Sequence, residues 1–177
     1  WFEPKDDKDL KTAVAFAKKN KVPFFVIGNG SNILAKDEGF LGILIHLGSD
    51  YFKKIKFSGN KITVGAGFSL PKLVNMCCDK ALAGFESLVG IPGTVGGAVY
   101  MNAGGWTNPI FSNIGSMVGS LKIMDSSGKI KILPKDEIAF GYRRSGMGGN
   151  IILEAVLKTK PGDRGALMSS ASHFLKI

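Results

Sequence analysis

Two glycine-rich stretches and one arginine pair carry the groups best suited to chemistry. The first is VIGNGSNIL at 26–34, whose centre is Gly28, Asn29, Gly30, Ser31 and Asn32. Successive backbone N–H groups in such a turn form a concave, electropositive nest for an anion. Glycine lets a ligand approach the backbone closely, and Ser31 and Asn32 add side-chain donors. The same residues also suit a plain strand-to-turn connection. The second stretch, GIPGTVGGAVYMNAGG, has glycines at 90, 93, 96, 97, 104 and 105. From PGTVGG onward it reads as the start of a helix of small residues. Such a start would offer free N–H groups and the positive end of a helix dipole to a phosphate. The alternative is a glycine helix packed tightly for its own sake. Together the two loops suit a ligand with two phosphates and an extended body. The third element is FGYRRSG at 140–146, where Tyr142, Arg143 and Arg144 sit in a glycine-flanked turn. A guanidinium is a planar fork that pairs bidentately with carboxylate or phosphate. The plainer reading is two surface arginines.

The familiar phosphate motifs are not spelled here. A dinucleotide fingerprint would need a third glycine at the position of Ile33, and neither loop carries Gly-Lys-Ser/Thr. No spacing of His46, His173 and the cysteines suits zinc, so both histidines read as packing or surface residues and no metal is expected. Cys77 and Cys78 are adjacent, and a bridge between neighbours closes almost no loop. A secreted disulfide framework is excluded, and a reduced cytoplasmic setting fits best. Lys plus Arg is 23 against 14 Asp plus Glu, a net +9. That balance suits anionic small molecules, or is simply a lysine-rich solvated face. No basic stripe interleaved with aromatics points to nucleic acid. No apolar run approaches the roughly 18 to 20 residues that span a bilayer. The apolar 45% and charged 21% are those of a soluble protein. The 177 residues are enough for one domain or two small lobes.

The elements that must position these groups are legible. Residues 6–20 read as a helix capped by Asp6 or Asp7, with Leu10, Ala13, Val14 and Ala17 at helical spacing. VPFFVIG (22–28) reads as a short buried strand leading into the first loop, and GILIHL (42–47) as another, giving a small βαβ-like lobe that ends near residue 48. The alternating run 52–67 with Gly59-Asn60 at its centre predicts a β-hairpin. A helix over 69–81 is capped by Ser69 and buries Leu73, Val74, Cys77 and Cys78. A second hairpin turns around SSGK within 116–134, a strand covers 150–160, and a helix occupies 163–177.

In this order and spacing, VIGNGSNIL, GIPGTVGGAVYMNAGG and FGYRRS resemble the UDP-N-acetylenolpyruvoylglucosamine reductase (MurB) family of flavoenzymes. WFEPKDDKDL is similar to the family segment before its first FAD-lobe helix, and the likeness runs from residue 1 to about 162. It implies an α+β fold, a two-lobe FAD-binding domain of the vanillyl-alcohol-oxidase/PCMH type. Lobe 1 would be residues 1–48, lobe 2 residues 49–162, and 163–177 the start of a linker to a substrate-binding domain not in this chain. It implies FAD as cofactor and NADPH as electron donor. The substrate would be a UDP-sugar, with no nucleic-acid or membrane partner. FAD would be held by Gly28, Asn29, Gly30, Ser31 and Asn32, and by Gly90, Ile91, Pro92, Gly93, Thr94, Gly96 and Gly97, chiefly through amides on its pyrophosphate. The family reaction has two halves: NADPH reduces the flavin, which then reduces the enolpyruvyl group to a lactyl ether in cytoplasmic peptidoglycan precursor synthesis, and so in cell-wall biogenesis, cell shape and division. The family Tyr-Arg-x-Ser motif matches Tyr142, Arg143 and Ser145. Arg143 is the expected catalytic cation, and Tyr142 and Arg143 the expected substrate contacts. Arg144 occupies the variable slot.

The match also departs from the family pattern. The family donates a proton from a serine in a Gly-Ser-x-Phe motif and uses a late glutamate. None of Ser169, Ser170 and Ser172 sits in such a motif, so the proton donor is assigned to none of them. The chain starts at Trp1 and stops at Ile177, and reads as the flavin-binding piece of a longer enzyme that would not turn over alone. Two other readings remain: another flavin oxidoreductase of the same superfamily, and a basic nucleotide-binding module without redox chemistry.

Overall fold

Asp6 fixes the start of the first helix. Its carboxylate accepts the Asp9 N–H at 2.8 Å, and α1 (Asp7–Lys19) buries Leu10, Val14 and Ala17 along one stripe. The computed structural model describes residues 1–104 and 113–176; Gly105 of the second glycine stretch lies outside the described residues, as does Ile177. Two strands follow α1, β1 (Phe24–Ile27) and β2 (Ile43–His46), paired in parallel from Phe24 with Ile43 to Ile27 with His46. Phe2 adds a single parallel bridge to Ile45 on the other side of β2. The expected βαβ order needs correcting. The helix precedes both strands, linking the Phe2 bridge to β1, and residues 28–42 between the strands hold no helix. β1 is also half-buried rather than buried, with Phe25 exposed, because a two-stranded sheet covers only one of its faces.

The remaining strands build the main sheet. β3 (Ile55–Ser58) and β4 (Lys61–Gly65) form the hairpin around Gly59-Asn60. Ser69 then caps α2 (Leu70–Asp79) by accepting the Lys72 N–H at 3.4 Å. A short β5 (Leu82–Ala83) leads to the second glycine stretch, from which α3 (Val95–Tyr100) rises, with α4 (Ile114–Met117) beyond it. β6 (Val118–Met124) and β7 (Ile130–Pro134) make the second hairpin. β8 (Ile151–Lys158) inserts between β4 and β6, β9 (Lys160–Pro161) pairs with β5, and α5 (Arg164–Phe174) closes the described chain. The five-stranded sheet is antiparallel with order β3-β4-β8-β6-β7. Its central strand β8 carries Ile151, Ile152, Leu153, Ala155 and Leu157 into the core, where they meet Ile62, Val64, Leu121 and Ile123. Among the described residues no helix is long and apolar enough to cross a membrane, and no group of acidic, His or Cys side chains could hold a metal.

A polar clasp ties α1 to this sheet. The Asp7 carboxylate accepts from Lys122 Nζ on β6 at 2.5 Å and from the Tyr51 hydroxyl at 3.1 Å. The cysteines lie on the buried side of α2, as the helical spacing predicts. Burial first, and then the neighbouring Cys78 thiol and the Glu86 carboxylate, push the Cys77 thiol up to about 12. Thiolate is the reactive form, so both thiols are expected to be inert in the folded chain. A disulfide-exchange reagent at about pH 8, just below the ordinary thiol pKa, should titrate no thiol in the native protein and both after denaturation. Rapid reaction in the native state would contradict the burial.

Candidate active site

The two glycine loops meet across the open ends of β1 and α3. The first follows β1 directly, and the Ser31 hydroxyl donates to the Pro92 carbonyl at 2.9 Å, bridging the loops. Contact elsewhere is equally close. A Cβ on Gly28 would fall 2.7 Å from Thr94 Oγ1, and a Cβ on Gly93 would fall 3.0 Å from Ser31 Oγ. Gly93 has φ +128, a backbone that side chains rarely adopt, so both space and dihedral require glycine there. The pair of loops forms one wall of a cleft of about 870 Å³. Gly28 to Asn32, Gly90 to Thr94, Gly96 and Gly97 all line it, so all twelve residues predicted for the cofactor lie on one surface.

The backbone around this wall is rich in unused donors. Among the described residues, the amides of Asn29, Gly30, Ser31, Asn32, Gly93 and Thr94 donate to no protein acceptor. Six such groups on one concavity fit an anion with several oxygens, and a dinucleotide pyrophosphate is that kind of group. One part of the expectation is corrected. The helix start was expected to offer free N–H groups, but α3 has already spent its own. Val95 N–H donates to the Phe68 carbonyl at 2.8 Å, Gly96 N–H to Ala66 at 2.8 Å, and Gly97 N–H to the Thr94 side chain at 3.3 Å. The cause is packing: α3 lies against β4 and β8, and a Cβ on Gly96 would fall 2.7 Å from Ala66 Cβ. Small residues thus seat the helix, and the donors left for a ligand belong to the loops before it.

The third motif reaches the same cleft from the far end of α3. Residues Gly141–Arg144 form a tight turn closed by Gly141 N–H to the Arg144 carbonyl at 2.9 Å and Arg144 N–H to the Gly141 carbonyl at 3.3 Å. Arg143 stands at its apex with φ +53 and lines the cleft. Tyr142 is placed differently. It is 83% exposed and absent from the cleft lining, with the Arg143 guanidinium 5.7 Å from its ring centre. Arg144 folds back over Gly141, as its variable slot allows.

Several lining residues escaped sequence reasoning. His46 ends β2 at the cleft, and its Nδ1 lies 2.7 Å from the Glu3 carboxylate. That contact, and then the Trp1 indole, hold Glu3 below the ordinary carboxylate range. Ala66 and Gly67 line the cleft from the end of β4, and Asn150 to Ile152 from the start of β8. The glycines at 65 and 67 were a usable signal: a Cβ on Gly67 would fall 1.9 Å from the Leu47 carbonyl, so two backbones touch there.

Comparison with known proteins agrees with this geometry. A family described as FAD binding domain matches residues 1–133. The chain belongs to the FAD binding domain family. Its relatives in this family include the UDP-N-acetylenolpyruvoylglucosamine reductase of Clostridium beijerinckii, 37% identical over 175 residues, which cover 98% of this chain and 56% of that protein. Among solved structures, the UDP-N-acetylenolpyruvylglucosamine reductase (MurB) of Thermus caldophilus superposes with a TM-score of 0.84 at 31% identity, over 98% of this chain and 60% of its own. A 6-hydroxy-D-nicotine oxidase from Arthrobacter nicotinovorans superposes at 0.69 with 19% identity, over 90% and 36%, and shares the fold. The fold expected from sequence, an α+β FAD-binding domain of the PCMH type, is therefore the fold observed. The chain spans little more than half the length of the reductases it matches.

Proposed function

We propose that this chain is the FAD-binding part of an enzyme that reduces the enolpyruvyl group of UDP-N-acetylglucosamine enolpyruvate with NADPH, giving UDP-N-acetylmuramate for peptidoglycan. The observation that carries the reading is the convergence on one cleft of two glycine loops with unused amides and of Arg143, carried on a closed turn. Residues 1–48 and 49–162 serve as the two lobes of the cofactor unit. FAD, when bound, supplies the hydride chemistry that no protein side chain offers. Asn29 to Asn32 with Gly93 and Thr94 would hold its pyrophosphate through the unused amides. Gly97, exposed and with Thr94 Oγ1 3.4 Å from a Cβ built on it, leaves room beside the loop.

The role of Arg143 follows from where charge develops. Hydride addition to the CH₂ carbon of the enolpyruvyl double bond leaves an electron pair on the adjacent carbon, which spreads into the substrate carboxylate. A cation already fixed at that carboxylate stabilises the transition state more than the ground state. The closed Gly141–Arg144 turn fixes the backbone from which Arg143 reaches the cleft, which limits the reorganisation the step needs. The proton that completes the lactyl ether needs a donor from elsewhere in the enzyme.

The test uses the full-length protein under anaerobic conditions, with the two half-reactions followed separately. NADPH should bleach the visible flavin band, and the enolpyruvyl UDP-sugar should restore it with UDP-N-acetylmuramate as product. Bleaching without restoration by this substrate would assign a different flavin reduction. A colourless protein that takes up no FAD would mean a nucleotide-binding module instead.

A further inference from the structure

The turn that carries Arg143 is held from behind by the chain leaving α3. We infer that Asn102 is a positioning residue for Arg143, acting through the carbonyl of Gly141; the inference rests on the reading of Arg143 given above. Asn102 is 6% exposed and is not among the residues that line the cleft, although Met101 and Ala103 on either side of it are. Its carboxamide is used at both ends. Nδ2–H donates to the Gly141 carbonyl at 2.9 Å, and Oδ1 accepts the Gly115 N–H at the start of α4 at 3.0 Å. The Gly141 carbonyl is the same group that closes the turn by accepting from Arg144 N–H. A second tie lies beside the first. The Ser145 hydroxyl, on a residue only 2% exposed, donates to the Tyr100 carbonyl at 2.8 Å. The first residue of the turn, 141, and the residue just after it, 145, are therefore fastened to the end of α3 and to the chain leaving it.

Asparagine is narrowly suited to this position. Its backbone is left-handed, φ +46, where asparagine is among the few non-glycine residues often found. The site needs one donor and one acceptor on a short side chain, which is what a carboxamide offers. Space is limited too: a Cβ on Gly115 would fall 2.6 Å from Asn102 Oδ1 and 2.7 Å from the Phe140 ring. Arg143 in turn adopts φ +53, a left-handed conformation that disfavours a side chain and persists where its surroundings over-determine it. The ties from Asn102 and Ser145 hold the residues on either side of it and contribute to that determination. They also link the arginine turn to the glycine loop through one six-residue helix: Thr94 caps its start beside the loop, and Tyr100 and Asn102, at its end, hold residues 145 and 141.

The experiment compares Asn102→Asp, Asn102→Gly and Ser145→Ala in the full-length holoenzyme, alone and combined with Arg143→Ala. Asn102→Asp keeps the acceptor for Gly115 but sets an oxygen against the Gly141 carbonyl. Asn102→Gly keeps the left-handed backbone and removes both bonds, so it carries the test if the aspartate variant does not fold. Each Asn102 variant should slow substrate reduction by roughly 10- to 100-fold, the scale of a small misplacement of a catalytic group. Reduction of the flavin by NADPH should stay near wild type. Calorimetric binding of UDP-N-acetylmuramate, read on the oxidised protein, should weaken several-fold as it does in Arg143→Ala. In the Arg143→Ala background the Asn102 changes should cost nothing further, because groups that act as a unit are not additive. Additive losses, or equal losses in both half-reactions, would overturn the inference and leave Arg143 its role. Wild-type substrate reduction by Arg143→Ala would overturn the role given to Arg143, and this inference with it, while the proposed reaction would stand.

Discussion

Arg143→Ala in the full-length protein is expected to slow reduction of the enolpyruvyl substrate by roughly a hundredfold or more, the usual loss when one transition-state donor is removed. Reduction of the bound flavin by NADPH should be nearly unchanged, because no charge develops at the substrate carboxylate in that step. The split between half-reactions is the diagnostic, and rapid mixing resolves it. Arg143→Lys should fall between, since an ammonium keeps the charge and loses the planar fork. Both variants leave the Gly141–Arg144 turn its backbone bonds, so thermal midpoints should stay close to wild type. Equal loss in both half-reactions would place Arg143 in cofactor binding or structure and remove it from the chemistry.

The second large effect is expected at Gly93. Valine there would have to adopt φ +128 and bring its Cβ to within 3.0 Å of Ser31 Oγ, the hydroxyl that joins the two loops through Pro92. Backbone strain of this kind costs on the order of 1–3 kcal/mol. Relief by moving the loop would break the donor array, so FAD affinity should fall by about 10- to 100-fold, read from flavin fluorescence. Gly97→Val separates binding from folding. Gly97 is exposed on the cleft wall, and the nearest atom to an added Cβ is Thr94 Oγ1 at 3.4 Å, so the empty protein should tolerate the change. Loss of FAD binding with an unchanged melting profile would show that the cleft, and not the fold alone, was affected. Wild-type affinity in both variants would make the second loop a purely structural element.

What the sequence made legible, and what it did not, divides along the range of the interactions. Asp6, one of the two caps the sequence offered, and Ser69 act three residues along the chain, and α1 and α2 start where they stand; Thr94 caps α3 in the same way, at a helix start legible without its cap. The hairpins at 55–65 and 118–134 follow from alternation and a local turn. The residues the two glycine motifs name also share one cleft wall, since a nest of amides is a local property. The distant partners were not legible. The carbonyls of Ala66 and Phe68 that consume the α3 amides come from the end of the β3–β4 hairpin, and only packing brings them there. The Ser31–Pro92 bond spans 61 residues, and Asn102 reads in sequence as one polar residue in a glycine-rich loop. His46 gave no sign of lying at the cleft, because strand pairing with β1, rather than spacing, puts it beside the first loop. Tyr142 adjoins Arg143 in the motif and its ring lies beside the Arg143 guanidinium, yet Arg143 lines the cleft while Tyr142 stands exposed outside the lining, a difference that adjacency in sequence does not show.

The measurement closest to the central claim is a titration of FAD into the purified 177-residue chain and its Gly93→Val variant, followed by flavin fluorescence and the visible absorption band. The structure predicts saturable binding of one flavin per chain, with a perturbed band, weakened by at least tenfold in the variant, about 1.4 kcal/mol. A chain with a folded circular dichroism spectrum that shows no saturable uptake, or equal uptake by both proteins, would contradict the assignment of the two glycine loops as the cofactor site.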